Sequence, residues 1–161
     1  MRPLLEFRHV DCGTTDSTHL RNASFLLLEG EFVSIVGGDN SGGKLIMDVL
    51  SGALGCTKGE VLLLDAAYAP HDIADANKHG VYCISLANSL IESQSIAENF
   101  FVNTSVVPLF GLVRKKENYE ETKRLLAHFG LDFDPLDPIR KFSANIQTIL
   151  QMIKFMRMGA K

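Results

Sequence analysis

The residues best suited to chemistry are a run of glycines with one lysine at its end. The run comprises Gly38, Asp39, Asn40, Ser41, Gly42, Gly43 and Lys44. A glycine-rich turn lets several backbone N–H groups point at one ligand, and a helix that starts there adds positive partial charge. The ammonium group of Lys44 would contribute a full positive charge. The run therefore predicts a site for an anion, and phosphate groups suit it best.

The spacing of this run fits the pattern G-x-x-x-x-G-K-[ST] in all but its final position. Gly38, Gly43 and Lys44 occupy the fixed positions, whereas Leu45 stands where a hydroxyl group would hold Mg²⁺. Ile46 follows, and it offers no hydroxyl group either. The sequence thus predicts a P-loop in which residues 38–46 surround phosphate, and it predicts no metal site.

A strand and a helix must hold such a loop in place. The apolar run at residues 32–36 predicts a strand before the loop, and residues 45–50 predict a helix after it. Further strands are predicted at residues 4–10, 22–28, 60–65 and 80–85. Because several of these runs are apolar throughout, we expect burial on both faces, as in a parallel α/β sheet.

Helical patterns dominate the second half of the chain. Ser95 followed by Glu98 forms a capping box that predicts a helix over residues 95–101. Residues 115–129 predict an amphipathic helix with a solvated charged side, and Ser143 predicts the N-cap of a helix over residues 144–157. A shorter helix is predicted at residues 70–78.

Composition excludes several classes of protein. The chain has 161 residues and a formal net charge of −3, and it contains no basic block, so we expect no nucleic-acid partner. No apolar run approaches the roughly 20 residues of a membrane span. The three cysteines lie far apart, without the spacing of a disulfide framework or of a metal site. These features predict a soluble α/β protein with no transmembrane segment of its own.

The order of several sequence stretches resembles one known family. The stretches are LEFRHV, EGEFVSIVGGDNSGGK, MDVLSG, KGEVLLLD, GVYCIS, SLIESQSIAENFF, RLLAHFGLDFDP and FSANIQTILQMIKFM. Together they resemble the N-terminal part of the nucleotide-binding domain of an ATP-binding-cassette (ABC) transporter. The SIAEN and GLDFDP segments resemble the ATP-binding subunits of ribose- and galactose-type sugar importers in particular.

The resemblance implies a fold and a division into subdomains. It implies a P-loop NTPase-like α/β sheet with a helical subdomain, truncated before the Walker B strand. Residues 1–86 and 143–161 would form the P-loop core, and residues 87–142 would form the helical subdomain. The Walker B strand, the catalytic glutamate and the switch histidine of the family would all lie beyond Lys161.

The resemblance also identifies departures from the family pattern. The aromatic residue that stacks on adenine would fall near Thr14, and the glutamine that contacts Mg²⁺ and water would fall at Leu86. The family signature loop matches the stretch from Phe142 to Ile146, with Ser143 retained and Asn145 in place of a glycine. We therefore expect weak binding of ATP and doubtful binding of Mg²⁺. We expect no catalytic residues and no hydrolysis by this chain alone.

These expectations lead to one main functional hypothesis and two alternatives. The main hypothesis is a nucleotide-binding but catalytically degenerate cassette of a sugar importer. Its partners would be a permease subunit and a second nucleotide-binding domain, and it would lie in the cytoplasm on the inner face of the cell membrane. The alternatives are a regulatory or scaffold module with no transport role, and a truncated inactive fragment.

Overall fold

A computed structural model describes residues 2–13, 19–38, 42–84, 90–102 and 115–161. The chain divides into two compact units, Met1–Cys83 and Ile84–Lys161. We call the first the sheet unit and the second the helical unit. Each unit has its own cluster of buried apolar side chains.

The sheet unit contains, among the described residues, a four-stranded sheet in the order β2-β1-β3-β4. Its strands are β1 (Pro3–Gly13), β2 (His19–Leu28), β3 (Lys58–Leu63) and β4 (Ala66–Ala67). Phe7 of β1 lies opposite Phe25 of β2 on one side and Val61 of β3 on the other. The strands predicted at residues 4–10, 22–28 and 60–65 are confirmed. The expected parallel arrangement is wrong for them, because each of their pairings is antiparallel.

The sheet unit also contains helices α1 (Gly43–Leu50) and α2 (Ile73–Lys78). Helix α1 packs one side into the same apolar cluster as the sheet, through Leu45, Ile46 and Val49. Burial of apolar side chains from both elements is what fixes α1 to the sheet. The side chains of Phe7 and Phe25 stack on the sheet with 4.5 Å between ring centroids.

The strand predicted at residues 32–36 is not formed. This segment has no regular secondary structure, and the side chains of Phe32 and Val36 are 93% and 90% exposed. An apolar run becomes a strand only when another strand accepts its backbone hydrogen bonds. Among the described residues, no strand pairs with this segment, so its composition alone was insufficient.

The strand predicted at residues 80–85 is likewise not formed over its described part. Residues 81–84 carry no regular structure and are half-buried, while Ser85 lies outside the described residues. The reason is the same as for residues 32–36, since neither run has a described strand beside it.

The helical unit contains helices α3 (Ile96–Phe101), α4 (Lys115–His128) and α5 (Ala144–Arg157), and a 3₁₀ turn at Ile139–Lys141. Its core combines side chains from all of these elements. The largest of them that are fully buried are Ile96, Phe100, Leu126, Ile139, Leu150 and Ile153. The three helices predicted in this part of the chain are confirmed, each within about one residue at either end.

Arg157, in the final turn of α5, connects the three helices of the helical unit. Its Nε donates to Glu121 of α4 at 2.8 Å, and its Nη1 donates to the carbonyl oxygen of Phe100 at 3.2 Å. The guanidinium carbon also lies 3.8 Å from the ring centroid of Phe101, a cation–π contact. One side chain therefore holds α3 and α4 against α5.

The resemblance placed residues 143–161 with the P-loop core, and in the structure α5 packs in the apolar cluster of the helical unit. The division at residues 86 and 143 stays a prediction. Within the described ranges, no helix is both long enough and apolar enough to cross a membrane.

Candidate phosphate-binding site

The candidate site begins where α1 begins. Gly42 precedes the helix in the left-handed conformation, with φ 80° and ψ 0°, and Gly43 is the first helical residue. A glycine adopts this conformation without the steric cost that other residues incur. Residues 39–41, which the sequence assigned to the loop, lie outside the described residues, and Gly38 is exposed.

Among the described residues, no side chain takes up the backbone donors of the first turn of α1, and the N–H of Leu45 donates to the carbonyl oxygen of Gly42 at 3.0 Å. No side chain caps the helix, and the first turn contains no acidic residue. The N-terminus of a helix carries unpaired N–H groups and a positive partial charge equivalent to roughly half an elementary charge. This geometry suits a phosphate group.

Lys44 does not reach towards the loop in this structure. Its Nζ donates to both carboxylate oxygens of Asp48, at 2.9 and 2.7 Å, one turn further along α1. The Lys44 side chain is 83% exposed, whereas that of Asp48 is 23% exposed. Sequence reasoning did not single out Asp48, although its spacing of four residues from Lys44 is the signal that could have found it.

Leu45 and Ile46 point into the core and away from the loop. They are 3% and 6% exposed and pack in the apolar cluster of the sheet unit. Consequently, neither position offers an oxygen atom to a metal ion. The described residues also contain no group of three or more histidine, cysteine or acidic side chains that could hold a metal ion. In the first turn of α1, the described residues provide a geometry that suits a phosphate group, and their side chains provide no oxygen atom for Mg²⁺.

The residues matched to the signature loop lie in the helical unit. Ser143 occupies the N-cap position of α5 with φ −63° and ψ 158°, but its exposed side chain makes no capping hydrogen bond. The predicted N-cap position of Ser143 is therefore confirmed, and only the side-chain hydrogen bond that usually accompanies it is missing. Asn145 is exposed in the first turn of α5. The start of α5, like that of α1, carries no acidic residue.

Two further predicted positions fall outside the described residues. They are Thr14, matched to the adenine-stacking aromatic residue, and Leu86, matched to the family glutamine. Their predicted roles stay predictions. The described part of the site therefore consists of Gly38, the start of α1 and the Lys44–Asp48 pair.

In sequence, the chain is similar to ATP-binding proteins of sugar transport. No protein-family model matches the chain. The chain is 28% identical over 142 residues to the galactofuranose transporter ATP-binding protein YtfR of Escherichia coli K12, covering 88% of this chain and 28% of that protein. It is 28% identical over 159 residues to the ribose import ATP-binding protein RbsA 1 of Streptomyces coelicolor, covering 99% of this chain and 32% of that protein. The chain thus spans less than a third of the length of these relatives.

Solved structures agree with this result at the level of the fold. The ATP-binding cassette MJ1267 of an ABC transporter superposes with a TM-score of 0.80 and 15% identity, covering 100% of this chain and 67% of that one. CbiO1 from Clostridium perfringens, part of the ABC transporter complex cbiONQ, gives a TM-score of 0.77 with 17% identity, covering 100% and 64%. The resemblance found in the sequence is therefore confirmed: the chain is similar in sequence to the ATP-binding proteins of sugar importers and has the fold of an ABC ATPase cassette.

Proposed function

We propose that this chain is the nucleotide-binding cassette of a sugar importer that binds the phosphates of ATP weakly and does not hydrolyse ATP by itself. The observation that carries the proposal is the start of α1. It combines a left-handed Gly42, an uncapped helix N-terminus and Lys44 with two buried apolar side chains where a hydroxyl group would be needed. Residues 38–46 form the nucleotide-binding segment in this proposal.

The proposed binding mode separates the phosphates from the metal. Backbone N–H groups at Gly43 and Lys44 would face the phosphate oxygens, and the Lys44 ammonium would neutralise part of their charge. Magnesium, when it accompanies ATP, supplies charge neutralisation of the phosphates in enzymes of this class. Leu45 and Ile46 offer no ligand for it, so ATP would bind with little help from the ion.

The same feature argues against turnover. Phosphoryl transfer depends on a metal ion held by the protein and on a positioned water molecule. Leu45 and Ile46 are packed in the core, so even a rotation of their side chains would bring no oxygen to the loop. We propose that Ser143 and Asn145 form the face that approaches a second cassette, as the family pattern implies.

The names of the relatives support a role beside a sugar transporter. Those relatives are ATP-binding proteins of galactofuranose, ribose, xylose and arabinose transport. We propose that the chain works with a sugar permease and a second nucleotide-binding domain, in the cytoplasm at the inner face of the membrane. Co-purification with a sugar permease is the direct check, and a chain that never associates with one would contradict this part of the proposal.

Isothermal titration calorimetry with ATP tests the phosphate site. We expect weak binding whose Kd changes less than about threefold between Mg²⁺ and EDTA, because no side chain at α1 holds the ion. Lys44→Ala should weaken binding about ten- to a hundredfold, the value of a charge-assisted hydrogen bond of roughly 1.5–3 kcal/mol. Lys58→Ala is the matched control, since the Lys58 side chain is also exposed (79%) in the sheet unit.

The outcomes separate the main proposal from its alternatives. ATP binding without turnover, reduced by Lys44→Ala, supports a degenerate cassette or a nucleotide-sensing module. A folded chain that binds no ATP at millimolar concentration would leave a scaffold role or an inactive fragment. Rapid Mg²⁺-dependent hydrolysis that disappears in Lys44→Ala would overturn the proposal.

A further inference from the structure

The Lys44 ammonium, which is the cation of the candidate site, forms an ion pair with the carboxylate of Asp48 in the same helix. Lys44 and Asp48 are the only charged residues of α1, whose sequence is GKLIMDVL. The Lys44 ammonium contacts both oxygens of the Asp48 carboxylate, and the two residues are spaced i,i+4. We infer that Asp48 competes with the ligand phosphates for Lys44 and thereby lowers the affinity of the site for polyphosphates. This inference rests on the proposed function.

The exposure of the two side chains shows which partner would move. The side chain of Asp48 is only 23% exposed, so neighbouring atoms restrict its movement. Lys44, at 83% exposure, is free to swing about its long flexible stem. A phosphate group at the start of α1 would therefore draw Lys44 away and leave Asp48 in place.

The order of the two residues along the helix weakens their ion pair, so Lys44 can exchange Asp48 for a phosphate group. Helix side chains lean towards the N-terminus, so Lys44 must bend against this direction to reach a residue four positions later. An i,i+4 pair with the acidic residue first is the more favourable order, and Lys44–Asp48 has the reverse order. Asp48 therefore reduces phosphate affinity without abolishing it.

Two effects of Asp48 act in the same direction. The ion pair must be broken before Lys44 can contact phosphate, and the carboxylate also repels a ligand with several negative charges. An exposed helical pair corresponds to about a twofold change in an equilibrium constant, and the added repulsion raises the total to about two- to fivefold.

The test is the variant Asp48→Asn, which keeps the shape of the side chain and removes its charge. We expect the Kd for ATP and for inorganic pyrophosphate to fall about two- to fivefold, measured by calorimetry in EDTA. The control is Asp137→Asn, because Asp137 holds Lys141 at 2.8 Å with the same spacing, in the helical unit. That variant should leave both Kd values unchanged.

Two further measurements identify the cause. In a Lys44→Ala background, Asp48→Asn should improve affinity less than it does in the native chain, because there is no cation left to release. Acetic anhydride should also label Lys44 about twofold faster in Asp48→Asn, with Lys141 as the internal reference by mass spectrometry. An equal gain in both backgrounds, or an unchanged labelling rate, would overturn the inference.

The labelling result also separates this inference from the proposed function. Faster labelling of Lys44 in a chain that binds neither ATP nor pyrophosphate would confirm the hold of Asp48 on Lys44 and contradict the proposed function. Binding of both ligands with no effect of Asp48→Asn would leave the proposed function standing and contradict the inference.

Discussion

The first turns of α1 and α3 differ in whether side chains accept hydrogen bonds from their backbone N–H groups. At α3, the Ser95 side chain accepts a hydrogen bond from the backbone N–H of Glu98 at 3.2 Å, and the Glu98 carboxylate accepts from the Ser95 N–H at 2.9 Å. At α1, Gly42 offers no side chain, and the first turn has no acidic residue. The start of α3 is therefore capped by its own side chains, whereas no side chain among the described residues caps the start of α1.

The difference lies in whether a side chain of the chain itself takes up the backbone donors of the first turn. Every helix begins with backbone donors that need a partner. At α2, Asp72 accepts from the N–H of Asp75 at 2.7 Å, so that start is capped as well. The starts of α1 and α5 have no such side-chain cap, and the resemblance matches these two starts to the P-loop and to the signature loop.

The largest loss of stability is expected when Gly42, which has a left-handed conformation, is replaced by another residue. Gly42→Ala puts a β-carbon on a residue with φ 80°, and the left-handed conformation costs a non-glycine residue roughly 1–2 kcal/mol. The new β-carbon would sit 3.4 Å from the carbonyl oxygen of His19, which is tolerable, so conformation alone sets the cost. The free energy of unfolding in urea should fall by that amount.

Gly55→Ala is the control for this experiment. A β-carbon at Gly55 would meet no atom within 4 Å, and Gly55 has no positive φ. Its stability should match that of the native chain to within about 0.5 kcal/mol. Equal stabilities for Gly42→Ala and Gly55→Ala would mean that the start of α1 is not held in the described conformation.

An intermediate loss of stability is expected when the N-cap of α3 is removed. Ser95→Ala removes the cap of α3 and should lower the free energy of unfolding by about 1 kcal/mol, the usual value of an N-cap. Ser143→Ala, at the matching position of α5, should cost less than about 0.5 kcal/mol because its side chain makes no capping hydrogen bond. Urea denaturation of the two variants compares them directly, and equal losses would contradict the contrast between the two starts.

The smallest effect is expected on the pH dependence of stability, through Glu98 in the capping box of α3. Hydrogen bonds from the Ser95 backbone N–H and hydroxyl group lower the pKa of Glu98 below its usual value of 4.5. A carboxyl group whose pKa is lower in the folded state stabilises the fold above pH 4.5, and this contribution is lost as pH falls through the folded-state pKa. Glu98→Gln should remove this part of the pH dependence, on the order of a few tenths of a kcal/mol for an exposed group.

Thermal denaturation between pH 6 and pH 3 measures this effect. The Tm difference between the native chain and Glu98→Gln should narrow as the pH falls below 4.5. A difference that stays constant over this range would show that the carboxylate charge contributes nothing at α3.

The three helices of the helical unit could be predicted from the sequence. The capping box at Ser95 and the amphipathic periods of α4 and α5 are local signals, and each acts within a few residues. The exception is the side-chain hydrogen bond of Ser143, because residue type allows a capping hydrogen bond but does not impose one. Local signals therefore fixed the helix bounds better than they fixed individual side-chain contacts.

The sheet unit could be predicted only in part, because strands need distant partners. Residues 61–63 and residues 32–36 are similarly apolar, yet Val61, Leu62 and Leu63 are buried in β3 while Phe32 lies almost fully in solvent. The difference is that β3 pairs with β1. Composition cannot report such a partner, and it also cannot report whether pairing is parallel or antiparallel.

The candidate site was predicted by its pattern and corrected by its contacts. The run from Gly38 to Lys44 identified the start of α1, and the role of residues 38–46 at that start stays a prediction. Asp48 was missed because the phosphate-binding pattern ends before it. Its contact with Lys44 depends on the turn of the helix and not on any motif.

The contacts of Arg157 have a consequence for the order in which the two units fold while the chain is being synthesised. The sheet unit is continuous from Met1 to Cys83, so it can fold as it leaves the ribosome, as N-terminal units generally do. The helical unit must wait, because the residue that connects α3, α4 and α5 is translated more than 50 residues after α3. A six-residue helix is marginal in water by itself, so the cap of α3 is not enough, and α3 becomes stable only when α4 and α5 pack around Phe100.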